Sequence, residues 1–268
     1  MSSNVLNTVA IQDLRKTLDQ LGIKTPRISS ALAVRQKLRM VTAEEQQEVA
    51  KANAALASAT TEAEFLKARE NLAKVMTTGF VKSNPEFGAM VDNAVDNGVL
   101  QAFMNEVGEI EPKLCERYNE TVHHHGLSVE LTRDLPSLED PHYANPLRWT
   151  DQQQLALKQW RDAAPVLNAV WNAYTQIHRL LGEQLSPSME QSQNAMIGFA
   201  LGDARNADHY RWLLDRLPSR LSALAQGSDQ SNAYAPLAPH VFVPLVGVEL
   251  RLKPMAEARA LRKQLSGL

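Results

Sequence analysis

Only one cysteine, Cys115, occurs in the 268 residues of this chain. No intrachain disulfide can form, so stability has to come from packing, and a reducing compartment is the expected setting. Glycine is scarce, at 12 residues, and forms no phosphate-cradling loop. Neither GxGxxG nor GxxxxGK[ST] occurs, which argues against a nucleotide-binding α/β enzyme. The nucleophile elbow GxSxG is missing, as are HExxH and paired CxxC motifs, and no cofactor is expected. Long apolar runs are missing too. Val241 to Val248, the best candidate, contains Pro244 and falls far short of the roughly 20 residues a membrane helix needs. The start, MSSNVLNTVAIQDLRK, lacks the charged end and apolar core of a secretory signal, so a cytoplasmic or virion location is expected. The net charge of −2 names no partner.

What remains favours helix: hydrophobic residues reach 44%, enough for a core, and Ala, Leu and Gln are plentiful. Ile11, Leu14, Leu18 and Leu21 share one helical face before Gly22, which can end the helix in a left-handed conformation. After Pro26, Ser29 or Ser30 is expected to cap a second helix reaching about Met40. Thr42 with Glu45, Thr61 with Glu64, and Thr150 with Gln153 each form a capping-box pattern. Residues 42–78, rich in Ala and interrupted near Ser58, read as an antiparallel helical hairpin, with Phe65, Leu72, Val75 and Met76 on one stripe. Asn84-Pro85 starts a helix with a wide apolar face that includes Phe87, Val91, Val99 and Phe103. Residues 112–122 add a short helix, and LSVELT (127–132) alternates like a half-buried strand.

Three prolines between 133 and 149 suggest a linker, dividing an N-terminal lobe (1–132) from a C-terminal lobe (150–268). Beyond it a helix runs to about Leu181, which Pro165 is expected to kink or divide. Two further helices follow, near 187–201 and 204–226. Val248, Leu250 and Leu252 alternate with Glu249, Arg251 and Lys253, so a hairpin with HVFV (240–243) is expected, then a helix from Pro254. The fold class is mainly α: a multi-helix bundle with a small antiparallel β element near the C-terminus.

Candidate chemistry is sparse. Glu120, His123 and His124 fall on nearby faces of a helix end and could ligate a divalent transition metal, with His125 and Cys115 close by in sequence. The competing reading is a solvated helix end with histidines near its carbonyls. Cys115 reads as a small buried hydrophobe rather than a nucleophile. Asp203, Asp208, His209 and Tyr210, with Arg205 and Arg211, read as surface ion pairing. Trp149, Trp160, Trp171, Trp212, Tyr174 and Tyr210 read as core or interface. Residues 1–41 hold seven basic side chains (Arg15, Lys16, Lys24, Arg27, Arg35, Lys37, Arg39) against Asp13 and Asp19, and the stretch to Glu111 reverses the sign. Complementary helix faces explain this better than a nucleic-acid footprint.

The expected function is structural. The chain reads as an assembly subunit, for instance of a phage head or tail, that meets copies of itself or other proteins through helices. Trp160, Trp171, Phe87 and Phe103 are the candidate interface anchors. The alternative is a metal-binding helical protein or metal-dependent enzyme at Glu120, His123 and His124.

Overall fold

The computed structural model describes residues 3–59, 61–83, 85–136, 146–182, 191–217 and 233–265. Within these the fold is mainly α, with one two-stranded antiparallel sheet near the C-terminus. The chain forms two compact units, one of residues 1–15 and 25–106, the other of 16–24 and 107–268. The Pro-rich stretch 133–149 falls inside the second unit by number, and 137–145 lie outside the described residues.

The first helix, α1 (Ser3–Gln20), buries Ile11, Leu14 and Leu18 completely. It ends as its sequence implies: Gly22 takes φ +78°, its N–H donates to Asp19 O, and Ile23 N–H reaches back to Leu18 O. That pair of bonds satisfies carbonyls that the helix end would leave open.

The second helix, α2, spans Pro26–Ala57 and departs from expectation at both ends. It starts at Pro26, not at a cap on Ser29 or Ser30. The Thr25 side chain makes no capping bond. The buried Glu106 carboxylate does that work from a distant helix, accepting the N–H groups of Arg27 (3.2 Å) and Ile28 (3.0 Å). Free N–H groups and the positive end of the helix dipole both favour a carboxylate there. The Thr42–Glu45 pattern starts no helix, because α2 runs straight through it. The box at Thr61 and Glu64 does form, with bonds of 3.2 and 3.3 Å, and opens α3 (Glu62–Ser83). Together α2 and α3 make the hairpin expected from residues 42–78.

Two expected helices merge into one 40-residue helix, α4 (Pro85–His124), which continues through Pro112. Likewise α6 (Asp151–Leu180) is not divided at Pro165. Both prolines are exposed. The carbonyl each leaves without its helical donor can therefore be hydrated, which lowers the cost of proline inside a helix. The start of α6 carries the expected capping box between Thr150 and Gln153.

LSVELT is not a strand. Ser128 caps a short helix, α5 (Val129–Arg133), accepting the Leu131 N–H at 3.2 Å. The alternation is too short to exclude a single helical turn opened by the Ser128 cap. HVFV is not a strand either: residues 240–242 and 244–246 form tight helical turns, with Val241, Phe242 and Val243 buried. The real partner of β2 (Glu249–Leu250) is β1 (Gly202–Asp203), which follows α7 (Gln191–Leu201). Gly202 permits this approach, since a Cβ there would meet Gly198 O and the methyls of Val243 and Val248 at 3.0 Å. A short helix, α8 (Ala207–Arg211), follows β1, and α9 (Met255–Leu265) closes the described chain.

Candidate functional site

The densest polar chemistry lies inside the second unit. Asn168 on α6 donates from Nδ2 to Pro236 O at 3.1 Å, so its Oδ1 is left as an acceptor. That oxygen faces His240 Nε2 at 3.2 Å, which places the imidazole proton on Nε2. His240 Nδ1 is then an acceptor, and Tyr118 on α4 donates its hydroxyl to it at 2.7 Å. Burial pushes the His240 pKa down to about 3 and holds the Tyr118 phenol well above its ordinary range. Each polar atom of this chain has its complement, so the network fixes packing and leaves no base facing a substrate.

A second cluster gathers around Glu111 on α4. Its Oε1 accepts from His178 Nε2 (3.1 Å) and from the Met255 N–H (2.8 Å), capping α9 as Glu106 caps α2. Burial raises the Glu111 pKa, but these bonds and the nearby positive charges outweigh it, and the net shift is downward. Cys115 lies on the same helix, buried, with its thiol pushed up to about 12 by burial and by Glu111 and Glu257. A thiol so protonated is no nucleophile.

The third cluster joins β1 to the segment after β2. Lys253 is 1% exposed, and its Nζ donates to Gly202 O (2.6 Å) and Asp203 Oδ1 (2.9 Å). Burial lowers the lysine pKa against the pull of Asp203. The Asp203 carboxyl, raised by burial, is brought below its ordinary value by Lys253 and nearby arginines. The period-two pattern put Lys253 in solvent with Glu249 and Arg251. Those two are exposed, while Lys253 turns inward. Asp203 therefore leaves the surface ion-pair group, whereas Asp208 stays in it, 3.8 Å from Arg211.

The histidine run ends α4 on the surface. His123 and His124 are exposed, and the rings of His124 and His125 meet edge to face at 5.0 Å. They border an open groove of about 780 Å³ with Arg117, Glu120 and Val166. The Glu120 carboxylate pairs with Arg117 at 3.7 Å. Among the described residues, no three His, Cys, Asp or Glu side chains are placed to hold a metal ion.

Among the sequence-selected anchors, Trp160 and Phe103 are completely buried and Trp171 is 8% exposed, stacked on Tyr174 at 5.6 Å. They are core side chains within this chain. The Phe87 side chain lies outside the described residues. Exposed apolar side chains occur elsewhere: Val9, Val34, Phe65, Leu66, Met90 and Met104 in the first unit, Leu147 and Leu155 in the second. The α2–α3 hairpin stands out. From Gln47 to Val75, Ala52 is the one buried residue among the described side chains; Phe65 is 47% and Leu66 53% exposed. The sequence marks the apolar stripe through Phe65 but carries no sign that it would be only partly covered, with Leu72 and Val75 half-buried and Phe65 exposed. Among the described residues no helix is long and apolar enough to cross a membrane. Comparison with models of known protein families, with curated proteins and with solved structures finds no match.

Proposed function

We propose that the chain is a structural or assembly subunit that meets other protein subunits through the α2–α3 hairpin. One observation carries this reading: α3 has an apolar stripe through Phe65, Leu72 and Val75, yet none of its described side chains is buried. Helical stability in proteins comes mostly from packing an apolar face, so a helix so thinly covered gains from a partner. The buried, closed polar clusters of the second unit add no reacting group to set against this. The alternative, metal binding at Glu120, His123 and His124, has no comparable observation behind it. The narrower proposal is a phage virion part, which rests on the missing catalytic motifs alone. Neighbouring genes for capsid, portal or tail proteins support it, and a metabolic neighbourhood refutes it.

Light scattering across a hundredfold range of protein concentration tests the main reading. The expected result is a mass that rises with concentration, and a Phe65→Glu/Leu66→Glu variant that keeps its helical circular dichroism while losing the association. A strict monomer at every concentration, in a protein that also captures no subunit encoded beside it, refutes the reading.

A further inference from the structure

The α2–α3 hairpin has two apolar sides. Val49, Ala52 and Leu56 on α2 and Ala68, Leu72 and Val75 on α3 are buried or half-buried. Their spacings of three and four put each trio on one stripe, and the two stripes mark the seam of the packed hairpin. Phe65 stands at the edge of that seam. Beyond it α3 carries a second set, Glu62, Phe65, Leu66 and Arg69, and all four are exposed. Positions i, i+3, i+4 and i+7 share one helical face, and at 3.6 residues per turn this face is turned about 100° from the seam.

The order of side chains along this face selects its occupant. An acid comes first, two large apolar residues follow, and a base comes last. A second α3 laid antiparallel across it, with a twofold axis between Phe65 and Leu66, sets Glu62 against Arg69 of the second copy and Arg69 against its Glu62. The same axis sets Phe65 against the second copy's Leu66, and the reverse. A twofold contact uses one patch twice and has to complement itself, which this face does in both charge and apolarity. A parallel pair in register would bring Glu62 to Glu62 and Arg69 to Arg69, which is repulsive.

We propose that two copies of this chain associate through an antiparallel, twofold contact of α3, with Phe65 and Leu66 at its centre and Glu62 and Arg69 paired across it. The proposal rests on the assembly reading and names the partner for the same hairpin. Two turns from each copy make a small contact by the measure of specific interfaces, so the pair is weak and reversible.

Sedimentation equilibrium of the full-length chain and its charge-reversed variants is the test. Glu62→Arg leaves the face all basic and Arg69→Glu leaves it all acidic. Each is expected to weaken self-association at least tenfold, because like charges then meet across the axis. An equal mixture of these two variants restores the opposite pairs and should associate as the wild type does. The double variant Glu62→Arg/Arg69→Glu should also self-associate again. Both positions are exposed, so helical circular dichroism is expected to stay unchanged throughout. Self-association of equal strength in the wild type and both single variants overturns the contact and leaves the assembly reading to another surface. Loss in the single variants without recovery in the mixture or the double variant overturns it as well. A wild-type chain that stays monomeric yet binds a subunit encoded beside it sinks the two-copy contact alone, whereas a monomer that binds neither sinks both readings.

Discussion

Replacing Asp203 by alanine leaves the Lys253 ammonium, 1% exposed, with the Gly202 carbonyl as its one acceptor among the described residues. Removing one partner of a buried pair costs about 3–5 kcal/mol. Asp203 keeps a 27% exposed side chain, so the low end, about 3 kcal/mol, applies. Lys253→Met takes the charge away and keeps most of the volume. It strips Gly202 O of a donor, at about 1–2 kcal/mol, while Asp203 regains water. The double variant Asp203→Ala/Lys253→Met removes both charges, and its loss should match that of Lys253→Met alone, about 2 kcal/mol. The double variant is therefore expected to be more stable than Asp203→Ala. Urea unfolding followed by tryptophan fluorescence gives all three differences. If the double variant loses the sum of the two single losses, about 5 kcal/mol, the residues do not act as a pair and the account of this corner is wrong.

Two further predictions concern titration. Glu111 and Asp203 have folded-state pKa values below their ordinary 4.5 and 3.8. Their stabilisation is complete above those ordinary values and is lost as pH falls through the lower folded ones, so unfolding free energy from urea melts should fall below about pH 4. Glu111→Gln should flatten that fall, and an unchanged acid limb would refute the assignment. Cys115, with its thiol pushed up to about 12, should resist iodoacetamide at pH 8 in the native chain and react fully in urea. Native labelling at the unfolded rate would show that the thiol is accessible.

Local chemistry was legible where its partners are close in sequence. The α1 stripe and the boxes at Thr61 and Thr150 need only residues within a turn or two, and they form as the sequence implies. The start of α2 is not legible locally because its acceptor, Glu106, is 78 residues away, and no local pattern announces a distant carboxylate. Strand β2 was legible by its alternation, but its partner, two residues long, carries no periodicity at all. The inward turn of Lys253 depends on Asp203, which sequence alone places among surface charges. Of the candidate site residues, the helical position of Glu120 and His124 was readable, yet their convergence was not, since Arg117 draws the carboxylate instead. The thinly covered stripe on α3 shows the same limit: amphipathicity reveals a face that wants cover and is silent on what covers it.

The two carboxylates that α4 lends to other helices also impose an order in time. Glu111 leaves the ribosome 144 residues before Met255, so α9 emerges to find its acceptor already made. The opposite holds for α2, whose opening N–H groups appear 78 residues ahead of Glu106. During synthesis that first turn has only water to bond, and α2 gains its fixed beginning when the chain beyond it has been made.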